Sequence, residues 1–203
     1  MKLYYSPNLN PRVAVAVARY LKSELEFIRA SPRAPGHEDG FRPINPNTLV
    51  PVLVEPTRTY WETDAIACRL SALAGSEFWR TDDTMPDMIM WISWATHHLN
   101  SAASVFYWEN IIGPTFSNVE PPPAVMEEAM ANFRRFAGTL DAYLEGRDWL
   151  LGDKISYADF RVATALPFAD AAGLPVAEFP QVQRWHQQLW AIDAWRDPFA
   201  GLA

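Results

Sequence analysis

One proline constrains this chain more than any other residue, because it stands directly before a short apolar strand. Residues 45–53 read Asn-Pro-Asn-Thr-Leu-Val-Pro-Val-Leu. A Val-Pro pair in this position predicts a cis peptide bond between Val50 and Pro51, in a tight turn. Such a turn would present the N–H and C=O groups of Val50 to an extended ligand. The sequence therefore predicts a backbone surface that can pair with a bound peptide.

A second feature lies at the start of a predicted helix, where residues 62–64 read Glu-Thr-Asp. The unpaired N–H groups of a helix start carry partial positive charge, so together with the Thr63 hydroxyl they suit a carboxylate. The neighbouring Glu62 offers a partner for an ammonium group. One short peptide-like ligand with a carboxylate, an ammonium and a central amide would satisfy all three features. Capping or an ordinary turn also explains each feature taken alone.

Composition excludes several classes of function. The chain has 203 residues, of which 49% are hydrophobic, so it can form one domain or two small ones. The net charge of -7 argues against nucleic acid or an anionic membrane as partner, because no basic stripe can neutralise phosphates. The single cysteine, Cys68, excludes an intrachain disulfide. No N-terminal signal or long apolar run is present, so we expect a cytoplasmic protein.

The pattern over residues 1–78 predicts a thioredoxin-like α/β domain. The expected elements are strands at 3–5, 25–28, 52–54 and 60–61, a helix after Asn10-Pro11, and a helix that ends at Gly75. An Asn followed by Pro is typical of an N-cap and the first helical residue, so we expect Asn10 to be the N-cap. The resulting order, βαβ then ββα, implies a right-handed crossover.

Residues 79–203 predict an all-helical second domain, because strand signals vanish there and helical periodicity takes over. One helix face is marked by Met88, Trp91, Ala95 and His98. A second long helix is expected after the three prolines at 121–123. Ser156 and Asp159 have the spacing of a capping box, to which we assign a structural role.

Three motifs in this order resemble the soluble glutathione transferase superfamily, and the resemblance covers essentially the whole chain. The motifs are residues 45–51, 62–66 and 152–160. The resemblance implies that Val50, held by Pro51, pairs with the cysteinyl backbone of glutathione, and that Glu62 and Thr63 hold its γ-glutamyl end. It also implies a homodimer, with glutathione against the first domain and an electrophile between that domain and the helical one.

The chain departs from the family where most bacterial and plant relatives carry a Ser or Cys near the glutathione sulfur. Residues 6–11 read Ser-Pro-Asn-Leu-Asn-Pro instead. The chemistry needs a hydrogen-bond donor for a thiolate, because a free thiol with a pKa near ~8.5 is mostly protonated at neutral pH. The Asn10 amide can donate to sulfur while its oxygen caps the helix, so we assign Asn10 the catalytic role. Tyr5 and Ser6 are the alternatives.

Asn8 and Leu49 complete the expected glutathione-binding set. The pair Asn8 and Asn10 resembles nu-class relatives, in which glutathione reduces disulfides and the protein supplies only electrostatic stabilisation. Leu49 stands where relatives often carry a Lys, Gln or Arg, and a leucine side chain cannot donate to the glycyl carboxylate. That end of glutathione therefore needs another cation, and His37 or Arg33 in the preceding loop can supply it.

The electrophile pocket is expected among the aromatic residues of the helical domain. By family geometry we assign Tyr107, Trp108 and His98 to it, although helix packing explains each residue equally well. His97 and His98 do not indicate a metal site, because no further ligands lie at a suitable spacing. The sequence thus predicts a glutathione transferase that acts on hydrophobic electrophiles and needs no metal. A glutathione-dependent disulfide or peroxide reductase and a non-catalytic ligand-binding module are the alternatives.

Overall fold

The computed structural model of the chain describes residues 1–117 and 119–202. The chain divides into two compact units. The first comprises Met1–Trp79 together with the segment that begins at Ile192, and the second comprises Arg80–Ala191. Among the described helices, none combines the length and the apolar character that crossing a membrane requires.

A four-stranded mixed sheet forms the centre of the first unit. In chain order its elements are β1 (Lys2–Tyr5), α1 (Leu9–Tyr20), β2 (Glu26–Arg29), α2 (Glu38–Phe41), β3 (Val52–Val54), β4 (Thr59–Trp61) and α3 (Thr63–Leu73). The strand order is β2-β1-β3-β4, in which β1 is parallel to β2 and antiparallel to β3. Leu3 pairs with Leu53, and both are fully buried. The predicted thioredoxin-like order of elements is confirmed.

Helix α1 is buried along most of its length. Residues 13–18 are all valine or alanine, so every face of the helix is apolar there, and all six are inaccessible to solvent. The predicted N-cap at Asn10 is wrong. The helix has Asn8 as its N-cap, because the Asn8 carbonyl accepts the first helical hydrogen bond from the Arg12 N–H at 2.9 Å. Pro11 therefore lies inside the first turn, where a missing N–H removes no helical bond.

The second unit is built from helices, which confirms the predicted fold class. They are α4 (Met85–His97), α5 (Leu99–Tyr107), α6 (Pro123–Leu144), α7 (Tyr157–Val162), α8 (Ala169–Ala172) and α9 (Pro180–Trp190). The helix face expected through His98 is interrupted there, because this residue has φ of -123° and ψ of -85°, outside the helical region. One π-helical turn, Trp108–Ile112, follows α5.

The carboxylate of Asp159 joins three segments of the helical unit. It accepts hydrogen bonds from the N–H of Ser156 at 2.8 Å, the N–H of Leu150 at 2.9 Å and the indole of Trp185 at 3.0 Å. Burial raises the pKa of Asp159, and the hydrogen bonds oppose that rise. The capping box predicted from Ser156 and Asp159 is confirmed. The bonds from Leu150 and Trp185 are additional, and they extend its structural role.

The last part of the chain groups with the first unit, whereas the sequence analysis assigned residues 79–203 to the helical domain. Here lies the short helix α10 (Asp193–Arg196), which packs against α1. The buried Arg12 guanidinium donates a hydrogen bond to the Trp195 carbonyl and lies 4.8 Å from the centre of its ring. Burial lowers the pKa of Arg12 to about 10, so the group stays cationic at neutral pH. This buried cation and its carbonyl partner hold the returning segment on α1.

Candidate functional site

A buried asparagine shapes the loop that leads into β3. Asn45 is 3% exposed. Its amide nitrogen donates to the Leu49 carbonyl at 2.8 Å, and its amide oxygen accepts from the Asn47 N–H at 3.0 Å. Between these two bonds, Thr48 has φ of 51°, a left-handed conformation that few residues with a side chain adopt. The Asn45 side chain therefore determines the path of the backbone that reaches Val50.

The peptide bond between Val50 and Pro51 is cis in the structure. Val50 is half-buried, and within the described part of the chain no hydrogen bond to its N–H or C=O group is found. Strand pairing begins beyond it, at Val52. The Val50 backbone is therefore positioned to pair with an extended ligand, as a strand at a sheet edge would be.

The start of α3 combines an unfavourable backbone conformation with free helical N–H groups. Glu62 has φ of 73°, in the left-handed region, which is costly for a residue with a side chain and is often found at functional sites. The first helical hydrogen bond joins the Ile66 N–H to the Glu62 carbonyl at 3.1 Å. Among the described groups, none accepts from the N–H of Thr63 or Ala65. These donors, at the positive end of the helix, suit a carboxylate.

One hydrogen bond joins the first turns of α1 and α3. The Thr63 hydroxyl donates to the main-chain carbonyl of Asn10 at 3.1 Å, and Thr63 is 3% exposed. Residues far apart in the sequence thus lie side by side. Sequence reasoning missed this bond, because no local pattern indicates which carbonyl a buried threonine will find.

The four residues considered for contact with sulfur occupy different environments. Asn10 is exposed in the first turn of α1. Asn8 is also exposed, and its amide donates to the Ser6 hydroxyl at 3.2 Å. Tyr5 is 3% exposed and its ring stacks on Phe199 with centroids 5.5 Å apart. The structure therefore brings Asn10 beside Thr63 and packs the Tyr5 ring into the core of the unit.

The residues considered for the glycyl end lie in exposed loops. His37 and Arg33 are both exposed, and His37 precedes α2 as its N-cap residue. The Leu49 side chain is 44% exposed, while its carbonyl is bound by Asn45. Leu49 can therefore contact a neighbouring ligand only through apolar atoms and its N–H group.

Comparison with known proteins shows similarity to one family. The family model "Glutathione S-transferase, C-terminal domain" matches residues 123–188. Glutathione S-transferase GstB of Escherichia coli is 28% identical over 162 residues, which cover 75% of this chain and 74% of that protein. Over these segments the chain is similar to glutathione transferases.

Solved structures of glutathione transferases share the fold. A family member from Pseudomonas fluorescens, with two glutathione bound, has a TM-score of 0.80 at 19% identity and covers 97% of this chain and 91% of its own. A glutathione S-transferase from Rhodospirillum rubrum has a TM-score of 0.86 at 21% identity, and the match covers 100% of this chain and 93% of that protein. At such identities the likeness concerns the fold alone.

The three residues expected to bind an electrophile have different surroundings in the described part of the chain. Tyr107 is 7% exposed, with its ring 4.9 Å from that of Phe168, and burial raises the pKa of its hydroxyl. Trp108 is 55% exposed and lines a hollow of about 530 Å³. His98 lines a different groove, of about 310 Å³. At a helical rise of roughly 1.5 Å per residue, Trp108 lies about 15 Å along the chain from His98.

Metal ligands are not clustered in the described part of this chain. In residues 1–117 and 119–202, no group of three or more His, Cys, Asp or Glu side chains could hold a metal ion. Cys68 is half-buried in α3, and burial raises the pKa of its thiol, which disfavours the reactive thiolate.

Proposed function

We propose that this protein conjugates the thiolate of reduced glutathione to hydrophobic electrophiles. The hydrogen bond from Thr63 to Asn10 is the observation that carries the proposal. It holds the free N–H groups of α3 beside the first turn of α1, so the position for a carboxylate adjoins the position for a thiolate. Glutathione carries both groups, because its γ-glutamyl carboxylate and its cysteine thiol lie on neighbouring residues.

Glutathione would bind through backbone and charge together. Val50 would exchange N–H and C=O bonds with the cysteinyl residue, while the Thr63 and Ala65 N–H groups take the γ-glutamyl carboxylate. The Glu62 carboxylate would take the γ-glutamyl ammonium, which gives its unfavourable backbone conformation a function. His37 is proposed for the glycyl carboxylate, since Leu49 has no donor in its side chain.

The sulfur would be activated without a covalent enzyme intermediate. An amide N–H of Asn10 donates to the thiolate, and the N-terminus of α1 adds a favourable field. The thiol proton leaves to solvent, the sulfur forms a bond to the electrophilic carbon, and the leaving group departs with the electron pair. Ser6 is retained as the alternative donor, because a hydroxyl that accepts from Asn8 can still donate its own hydrogen.

The electrophile is proposed to bind at the hollow lined by Trp108. This residue exposes more than half of an indole, and the hollow also carries the exposed side chains of Phe116 and Val119. Such a surface favours an apolar, aromatic molecule. Tyr107 would support Trp108 from the core.

A homodimer is proposed from apolar side chains that remain exposed on each unit. On α4 these are Met85, Ile89 and Met90, which are 38%, 48% and 52% exposed. On the first unit Trp61 and Leu73 are 40% and 47% exposed. Clusters of this kind are typical of surfaces covered by another protein. Light scattering at several concentrations tests the dimer.

Reduction of disulfides by glutathione is the second candidate function. It is favoured by the exposure of both Asn8 and Asn10 in the loop and first turn of α1, where two amides could reach one sulfur. Tight binding of oxidised glutathione, with turnover of a mixed disulfide, would favour this chemistry over conjugation.

Calorimetric titration with reduced glutathione at neutral pH is the primary test. We expect saturable binding of one glutathione per chain, followed by activity with an aromatic electrophile. The absence of binding up to several millimolar would overturn the proposal and favour a non-catalytic role. Thr139→Ala, an exposed change on α6, serves as the matched control for threonine variants in the site.

A further inference from the structure

A groove on the helical unit is separate from every residue assigned to glutathione. It lies between α5 and α6 and has a volume of about 310 Å³, near the lower end of the range for small-molecule sites. Two of its lining residues, Ala102 and Ala129, are buried at 7% and 5% exposure. Because alanine is small, these positions leave a hollow where larger side chains would close the contact between helices.

Part of the groove has an aromatic surface. The His98 ring stacks on the Phe136 ring, with centroids 4.7 Å apart and planes inclined by 26°. Trp94 stands edge-on to both, at 6.2 Å from His98 and 6.1 Å from Phe136. The faces of such rings attract a second ring and also a cation, because their electron density is negative, and the Arg135 guanidinium already lies 5.5 Å from the centre of the Phe136 ring.

Glu128 is the one lysine, arginine, aspartate or glutamate among the described lining residues of the groove, and Ser101 and Asn132 supply groups that can both donate and accept. His97 Nδ1 lies 2.9 Å from the Ser93 carbonyl. A carbonyl can only accept, so Nδ1 donates in this hydrogen bond. The Glu128 carboxylate also lines the groove, and no lysine or arginine is found among its described lining residues. The groove therefore complements a positive charge rather than a negative one.

We propose that this groove binds a small aromatic ammonium compound. The ring lies over Ala102 and Ala129 against the aromatic surface, and the ammonium group meets the Glu128 carboxylate. In this proposal His98 belongs to the groove, whereas the sequence analysis assigned it to the electrophile pocket. It is independent of conjugation, since none of its lining residues is proposed to contact glutathione.

Phenethylammonium is the probe for this site, with hydrocinnamate as an anion of similar shape and phenethyl alcohol as the neutral compound. Each is titrated into the full chain, with and without saturating glutathione, and binding is followed by ligand-observed NMR. We expect saturable binding of the cation, unchanged by glutathione, and much weaker binding of the anion. Added salt should weaken binding of the cation, because the Glu128 carboxylate that pairs with it is exposed to solvent.

Three variants locate the binding. Ala129→Leu fills the hollow and should abolish saturable binding, whereas Ala131→Leu, an exposed change on the same helix, should not alter it. Glu128→Gln should lower the affinity for the cation by about two- to fivefold, as expected for an exposed ion pair. Circular dichroism and glutathione titration confirm that each variant is folded.

The proposal is overturned if hydrocinnamate binds as tightly as phenethylammonium, or if Glu128→Gln leaves cation binding unchanged. Equal binding by Ala129→Leu and Ala131→Leu would place the cation elsewhere. A change in oligomeric state caused by Ala129→Leu alone would mean that a second copy of the chain covers the groove.

Discussion

The Thr63 hydroxyl donates a hydrogen bond of 3.1 Å to the main-chain carbonyl of Asn10. Through this bond, a buried side chain of α3 holds the turn of α1 that carries the exposed Asn10 amide. The two parts of the proposed glutathione site are therefore mechanically connected. Substitution of Thr63 should mainly affect the binding of glutathione. Substitution of Asn10 should mainly affect the activation of the glutathione thiol.

Thr63→Ala should weaken glutathione binding by ~1–3 kcal/mol, because it removes the buried hydrogen bond that holds the N–H groups of α3 beside the first turn of α1. Thr63→Ser retains the hydroxyl and should bind nearly as well as the unmodified protein. Calorimetry compares both with Thr139→Ala. Equal affinities for all three variants would contradict the role given to Thr63.

Asn10→Ala should raise the apparent pKa of the bound glutathione thiol while changing its affinity only a few-fold. Removal of a donor disfavours the thiolate, so kcat/KM should fall at neutral pH and recover as the pH rises. Thiolate absorbance and the pH–rate profile measure this shift. If the profile is unchanged in Asn10→Ala but shifts in Ser6→Ala, the sulfur donor is Ser6.

Asn45→Ala should destabilise the first unit by ~1–3 kcal/mol and raise the KM for glutathione. It leaves the Leu49 carbonyl and the Asn47 N–H without their side-chain partner in the loop that leads to Val50. Asn47→Ala is the control, because only the backbone of that residue takes part in the loop. Thermal unfolding and steady-state kinetics report on the two effects, and a similar result for both variants would argue against a positioning role.

Trp108→Ala should raise the KM for an aromatic electrophile and leave the KM for glutathione unchanged. The exposed indole is one of the large apolar surfaces of its hollow, and its removal costs contact area with the ring of the substrate. Steady-state kinetics with each substrate varied in turn provide the measurement. An unaltered electrophile KM would remove Trp108 from the pocket.

Asp159→Ala should destabilise the helical unit by more than ~3 kcal/mol. It leaves the N–H groups of Ser156 and Leu150 and the indole of Trp185 buried without an acceptor, and each such group costs ~1–3 kcal/mol. Urea unfolding followed by circular dichroism measures the loss. Asp153→Ala, an exposed change nearby, should stay close to the unmodified protein.

The sequence predicted those parts of the fold that depend on local patterns. A short apolar run located β3 at Val52–Val54, as observed, and the spacing of Ser156 and Asp159 identified the capping box. The predicted N-cap of α1 was wrong, because Asn8 and Asn10 have the same capping propensity and the first helical hydrogen bond is accepted by the Asn8 carbonyl.

The remaining features depend on contacts between distant segments. The backbone conformation of Glu62 is imposed by the strand and helix on either side of it, and its side chain gives no sign of it in the sequence. His98 and Trp108 line two different hollows of the helical unit, and resemblance to a family does not predict this difference. The bond from Arg12 to Trp195 joins residues that are 183 positions apart, beyond the range of any motif.

That last contact has a consequence for synthesis of the protein. A ribosome releases residues 1–79 long before Trp195, yet the buried Arg12 guanidinium finds its carbonyl and its aromatic partner only in the segment that follows the helical unit. Domains usually fold as they emerge, with the amino-terminal one first. Here the amino-terminal unit lacks this contact until Trp195 has been translated, so its nascent form stays incomplete while the whole helical unit is being made.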